Sequence, residues 1–209
     1  MPLAAALWTM LAVAALLIAE RAGSRVGVWL AKPAASLGFL ACAWLTPHAD
    51  STFAQLLFAG LIACALGDVL LIPPGTGPAF LAGTGAFALG HALYAAAFWL
   101  RAPVLWVSAL GAVGMLFVAI ATLRWLEPHV VPPLKVAVRG YIGVSYVMVA
   151  LAVRAAASSG DARIVTGAVA FALSDLSVAR DRFVQPGWNN LLWGLPLYYA
   201  AQLTLASTL

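Results

Sequence analysis

The chain has 209 residues, 64% of them hydrophobic and 9% charged, with a mean hydropathy of +1.00. That balance excludes a soluble globular domain and marks an integral membrane protein. The formal charge of +4 sits at segment ends, where it suits anionic lipid headgroups and argues against a nucleic-acid partner.

Windows of about twenty residues, the length a helix needs to cross the hydrocarbon core, give eight predicted spans in one transmembrane domain, 1–209. They cover roughly 3–19, 27–45, 53–72, 79–100, 104–123, 138–156, 163–179 and 188–207. The apolar runs are continuous instead of alternating, so the expected fold is an all-α polytopic helical bundle. The first span has no basic segment before it, and its charges Glu20, Arg21 and Arg25 follow it, so it reads as a retained helix and not as a signal peptide.

Lys32 opens the second span and precedes Pro33. It suits either snorkelling to the interface or contact with a phosphate or carboxylate. The third span ends in ALGDVLL, which places Asp68 in an otherwise uncharged apolar run. An intramembrane carboxylate costs several kcal/mol, so it is read as functional, with interhelical hydrogen bonding as the competing explanation. In the fourth span Phe80, Gly83, Phe87, Gly90 and Tyr94 form a stripe at three-four spacing with His91 beside it. The sixth and seventh spans add Tyr141, Ser174 and Asp175, and the loop after them adds Arg182. The eighth contributes Asn189, Asn190, Tyr199 and Gln202. Tyr141, Ser174, Tyr199 and Gln202 suit ordinary interhelical hydrogen bonds equally well.

ALGDVLL at 65–71 resembles ALSDLSV at 172–178, and GHALYAAAF at 90–98 resembles GLPLYYAAQ at 194–202. Both offsets are close to half the chain. They suggest a tandem parallel repeat of four helices plus four. Asp68 and Asp175 end odd-numbered spans, so they reach one membrane face at similar depth. Lys32, Tyr141, Asn190 and Arg182 belong to that same face. Placing the N-terminus outside puts Arg21, Arg25, Arg124, Lys135, Arg139, Arg180 and Arg182 on the inner side. The positive-inside bias therefore favours N-out and C-out, in a bacterial inner membrane.

A metal centre is not expected, because only His91 lies in a span while His48 and His129 fall in loops, and no HxxxH or HxxE pair occurs. Cys42 and Cys64 lie inside spans without CxxC spacing and read as small buried hydrophobes. Trp99, Trp106, Trp125 and Trp188 fall near span ends, as an aromatic belt would. There is no GxSxG elbow and no Gly-rich phosphate loop.

Across most of the chain the sequence resembles the YhhN-like family of integral membrane proteins, whose characterised members are lysoplasmalogenases. The resemblance runs through KP at 32–33, GDVLL at 67–71, the stripe from Phe80 to Tyr94 with His91, and Tyr141. It continues through GAVAFALSD at 167–175, Arg182 with Phe183, and YYAAQ at 198–202. The link PPGTGP at 73–78 departs from the pattern beside Asp68 without touching a motif residue. What the resemblance implies is hydrolysis of the vinyl-ether bond of a lysophospholipid substrate, without a cofactor, to a fatty aldehyde and a glycerophospho-headgroup. Enol-ether hydrolysis needs a proton donor for the β-carbon and a negative group beside the resulting oxocarbenium ion. Asp68 and Asp175 would divide those tasks, as two carboxylates do in glycoside hydrolysis. His91 would hold water or relay a proton, and Lys32 and Arg182 would pair with the headgroup phosphate. Tyr94, Tyr141, Ser174, Asn190, Tyr199 and Gln202 complete the expected substrate contacts. Paired intramembrane carboxylates in a repeat equally suit a proton-coupled transporter.

Overall fold

The computed structural model describes residues 2–47, 51–101 and 105–209, and the side chains of 105–108 are not described. His48 and the side chain of Trp106 therefore lie outside the described residues.

Among the described residues eight α-helices follow one another: α1 (Leu3–Arg21), α2 (Arg25–Leu45), α3 (Thr52–Leu70), α4 (Pro78–Trp99), α5 (Leu105–Leu126), α6 (Lys135–Ser159), α7 (Ala162–Ala179) and α8 (Trp188–Ala206). No strand occurs among the described residues. Helices satisfy their backbone groups internally, which lipid demands. Their ends carry the expected local chemistry. Ser24, Ser51 and Asp161 cap α2, α3 and α7 through their side chains, and Pro78 opens α4. Gly160 ends α6 in the left-handed region at φ 72°, where a side chain would be strained.

Seven of these helices are long and apolar enough to cross a membrane, which makes the chain an integral multi-pass membrane protein. The eighth, α8, has no charged residue, but Asn189, Asn190, Pro196 and Gln202 lower its hydropathy. The expected loop 180–187 is partly helical: Arg180–Val184 continue α7 as a π-helical turn. Asp181 explains this, since its Oδ1 accepts from Gly187 N–H at 2.9 Å and Asn190 Nδ2 at 3.0 Å, tying the turn to the start of α8.

The helices pair as consecutive neighbours, α1 with α2, α3 with α4, α5 with α6 and α7 with α8. Further contacts join α2 to α3, α6 to α7, α4 to α6 and α2 to α8. Advancing every helix number by four, with α8 followed by α1, turns each of these pairs into another of them. The neighbour pattern thus agrees with two four-helix halves. The α1–α8 and α3–α8 contacts depart from it, being without counterparts of like backbone proximity among the described residues.

Small residues bring the helices close. A Cβ at Gly60 would overlap the Tyr94 ring, and one at Gly90 would overlap the Cys64 sulfur. In the other half a Cβ at Gly167 would overlap Leu205. Cys42 and Cys64 are both buried and unbridged. Outward faces carry large exposed apolar side chains such as Leu11, Ile18, Leu30 and Phe117, the surface a lipid phase solvates. Trp99, Trp125 and Trp188 stand at the ends of their helices.

Candidate functional site

At the membrane face where α1, α3, α5 and α7 end, the helices enclose a cavity of about 330 Å³ lined by residues from all eight of them. Its walls are mostly apolar, with a few convergent polar groups, the usual character of a small-molecule site. Asp68 and Asp175 both line it, as do Lys32, Tyr141, Ser174 and Arg182.

Asp68 sits one turn before the end of α3, with its side chain 3% exposed. Its Oδ2 accepts hydrogen bonds from Ser36 Oγ at 2.7 Å and from Tyr198 OH at 2.8 Å. Lys32 Nζ lies 3.8 Å from Oδ1. Lys32 and Ser36 are one helical turn apart on α2, so a single face of that helix supplies both groups. The Ser36 hydroxyl also lies 3.1 Å from the Lys32 carbonyl, and its one hydrogen serves either acceptor. Two hydroxyls and the Lys32 ammonium thus converge on this carboxylate.

Asp175 is placed by the equivalent helix of the other half and is more accessible, at 18% side-chain exposure. Tyr141 OH donates to Oδ1 at 2.9 Å and Ser145 Oγ donates more weakly to Oδ2 at 3.4 Å. Tyr141 and Ser145 again share one helix face at the same spacing as Lys32 and Ser36. In place of the ammonium, His91 brings Nε2 to 3.2 Å from Oδ2. The His91 ring is fully buried, stacks on Phe171 at 4.1 Å between centroids and meets the edge of Tyr141. Its Nδ1 lies 2.8 Å from the Phe87 carbonyl. A carbonyl only accepts, so Nδ1 is assigned the hydrogen, and Nε2 is the ring nitrogen that faces Asp175. Nε2 makes no aligned hydrogen bond among the described residues despite that approach.

Four other expected substrate contacts stand outside the cavity lining. Tyr94 OH donates to Gln202 Oε1 at 2.7 Å, and both side chains are fully buried. Tyr199 OH reaches the Lys32 carbonyl at 3.3 Å and braces α2. Asn190 knits the α7–α8 turn, donating to Asp181 and to the Gln185 carbonyl and accepting from Arg180. Of the residues in the lining, Ser174 Oγ donates to the Phe171 carbonyl at 2.7 Å. Arg182 spends two N–H groups on the carbonyls of Gly75 and Leu71, at 2.8 and 2.9 Å. It thereby ties the PPGTGP link to the cavity mouth. Among the described residues no group of three or more His, Cys, Asp or Glu side chains is arranged to hold a metal ion.

Three contributors had not been singled out: Ser36, Ser145 and Tyr198. The two serines carried a signal, since each follows an expected site residue by one turn. Tyr198 had none, because two adjacent tyrosines point about 100° apart and the helix rotation decides which one meets Asp68.

The sequence model of the YhhN family matches residues 27–209. The chain is 34% identical to lysoplasmalogenase TMEM86A of Bos taurus over 86% of its length and 72% of the relative's. It is 37% identical to lysoplasmalogenase TMEM86B of Homo sapiens over 73% of the chain and 62% of the relative. With TMEM86B of Sus scrofa it shares 32% identity over 76% of the chain and 65% of the relative. No solved structure matches the chain.

Proposed function

The chain belongs to the YhhN family, and from that premise we propose that it hydrolyses the vinyl-ether bond of lysoplasmalogens. Its relatives carry the name lysoplasmalogenase. The observation that carries the reading to this chain is the pair of differently furnished aspartates on one cavity, one beside an ammonium and the other beside an imidazole.

The pair Asp175–His91 holds one proton and delivers it from the Asp175 carboxyl to the β-carbon of the enol ether. Protonation leaves an oxocarbenium ion on the ether side, and ionised Asp68 stabilises that charge. Water then adds to the cationic carbon, its proton returns to the Asp175–His91 pair, and the hemiacetal collapses. The products are a fatty aldehyde and the glycerophospho-headgroup with its hydroxyl restored. One water is consumed and both carboxyls end as they began. Tyr141, Ser145, Ser36 and Tyr198 are positioning residues that hold the carboxyls at their angles. Lys32 and Arg182, on the lining, supply positive charge for the headgroup phosphate. The excess of Arg and Lys on this side supports a cavity mouth at the inner face of a bacterial plasma membrane.

The repeated neighbour pattern of the two halves favours one second reading, a proton-coupled transporter using the same aspartates. Purified protein in detergent, given lysoplasmalogen, separates the two. Free aldehyde, unchanged by chelator, is the expected result. No aldehyde, together with substrate uptake into sealed vesicles, would replace the hydrolase with the transporter.

A further inference from the structure

We propose that Glu20 anchors the headgroup ammonium and makes the site select ethanolamine over choline lysoplasmalogens, an inference that rests on the hydrolase reading above. Glu20 is the penultimate residue of α1, is half-buried and lines the cavity. The other carboxylates on the lining are already engaged. Asp68 and Asp175 have the partners described, and Asp181 accepts from Gly187 N–H and Asn190 Nδ2. The Glu20 carboxylate makes no hydrogen bond or ion pair with any described residue, while it feels the charges of Lys32, Asp181 and Arg182. A carboxylate left without a direct partner on an apolar-walled cavity costs free energy that a ligand cation recovers.

The lining around it has the charge pattern of a zwitterion. Lys32 and Arg182 supply positive charge, and Arg182 keeps three of its five donors free of the two carbonyls it holds. A phosphate set against these two residues presents its amine tail to Glu20. A primary ammonium has three N–H donors for that carboxylate. A trimethylammonium has none and binds best against open aromatic faces. Phe80 and Phe183 both line the cavity and meet edge-on, and the Arg182 guanidinium covers the Phe80 face, 5.7 Å from its centroid. Glu20 lies before the residues that the family model matches.

The test compares wild type with Glu20→Gln, which keeps the side-chain shape, by calorimetry in detergent. The ligands are saturated 1-O-alkyl lysophosphatidylethanolamine and its choline counterpart, which lack the cleavable vinyl ether. Loss of one charge-assisted contact lowers ethanolamine-lipid affinity about tenfold and leaves choline-lipid affinity within about twofold. With vinyl-ether substrates, KM for the ethanolamine form rises by a similar factor while kcat holds. Equal changes for both headgroups, or none, would overturn the assignment. The alkyl ligands report binding without turnover, so a protein that releases no aldehyde refutes the hydrolase reading and leaves this result standing.

Discussion

The surroundings of Asp68 and Asp175 are two versions of one design. In each, a carboxylate near the end of an odd-numbered helix takes a serine hydroxyl and a second group from the preceding helix, one turn apart: Lys32 and Ser36 for Asp68, Tyr141 and Ser145 for Asp175. In each, a ring from the even-numbered helix of the other half completes the set, Tyr198 from α8 or His91 from α4. The differences are chemical. One carboxylate faces an ammonium, is almost fully buried and accepts two short hydroxyl bonds. The other faces an imidazole nitrogen and opens further to the cavity. Similar helix positions thus give the two carboxyls different partners, and the proposed mechanism uses that difference.

The strongest way to break the comparison is to neutralise each aspartate in turn. Asp68→Asn and Asp175→Asn should each lower aldehyde release roughly a thousandfold or more, with unchanged detergent elution showing that the protein still folds. Near-normal turnover in either variant would end the two-carboxylate mechanism. A finer cut removes the groups that distinguish the two settings. His91→Gln should reduce kcat about a hundredfold with little change in KM, whereas Lys32→Met should also raise KM, because in the proposed mechanism its ammonium serves both Asp68 and the headgroup phosphate. Identical kinetic signatures for the two would mean that the halves do not differ in role.

Smaller effects test the positioning residues. Tyr198→Phe and Tyr141→Phe each remove one hydroxyl bond to a carboxylate and should slow turnover about five- to tenfold. Tyr94→Phe, which breaks the buried bond to Gln202, should leave kcat within about twofold and act on thermal stability instead. The smallest expected change lies at the opposite face. Asp161 caps α7, and its hydrogen bonds to Arg163 hold its carboxyl below the ordinary aspartate value of 3.8. The carboxyl is more stable ionised in the folded protein, so its contribution is present above that value and fades as pH falls through the lower folded one. Asp161→Ala should cost about 1 kcal/mol of stability near neutral pH, measured by thermal unfolding in detergent, and leave aldehyde release unchanged. The loss should shrink in acid.

Asp68, Asp175 and Lys32 were legible in the sequence because charges inside apolar runs are costly and therefore stand out. The placing of Asn190 and of the 180–187 segment was not. Their hydrogen-bond partners come from a π-helical turn, and that turn forms only because Asp181 meets Gly187 and Asn190 across it. The serines were half-visible: Ser36 and Ser145 follow Lys32 and Tyr141 by four residues, but a serine in a membrane helix usually bonds its own backbone, as Ser174 does here.

By itself the sequence determined that the chain spans a membrane as a helical bundle and, to within a few residues, where its helices lie. Hydropathy and turn residues act along the chain axis, and lipid leaves the backbone no alternative to helices. Only the tertiary structure decided which polar groups meet. Depth fixes the level of a side chain, but its direction turns by about 100° per residue, and the rotation of each helix is set by packing such as Gly60 against Gly90 and Gly167 against Leu205. That rotation brings Tyr198 instead of Tyr199 to Asp68, and it leaves Tyr94 beneath the site while His91 reaches Asp175.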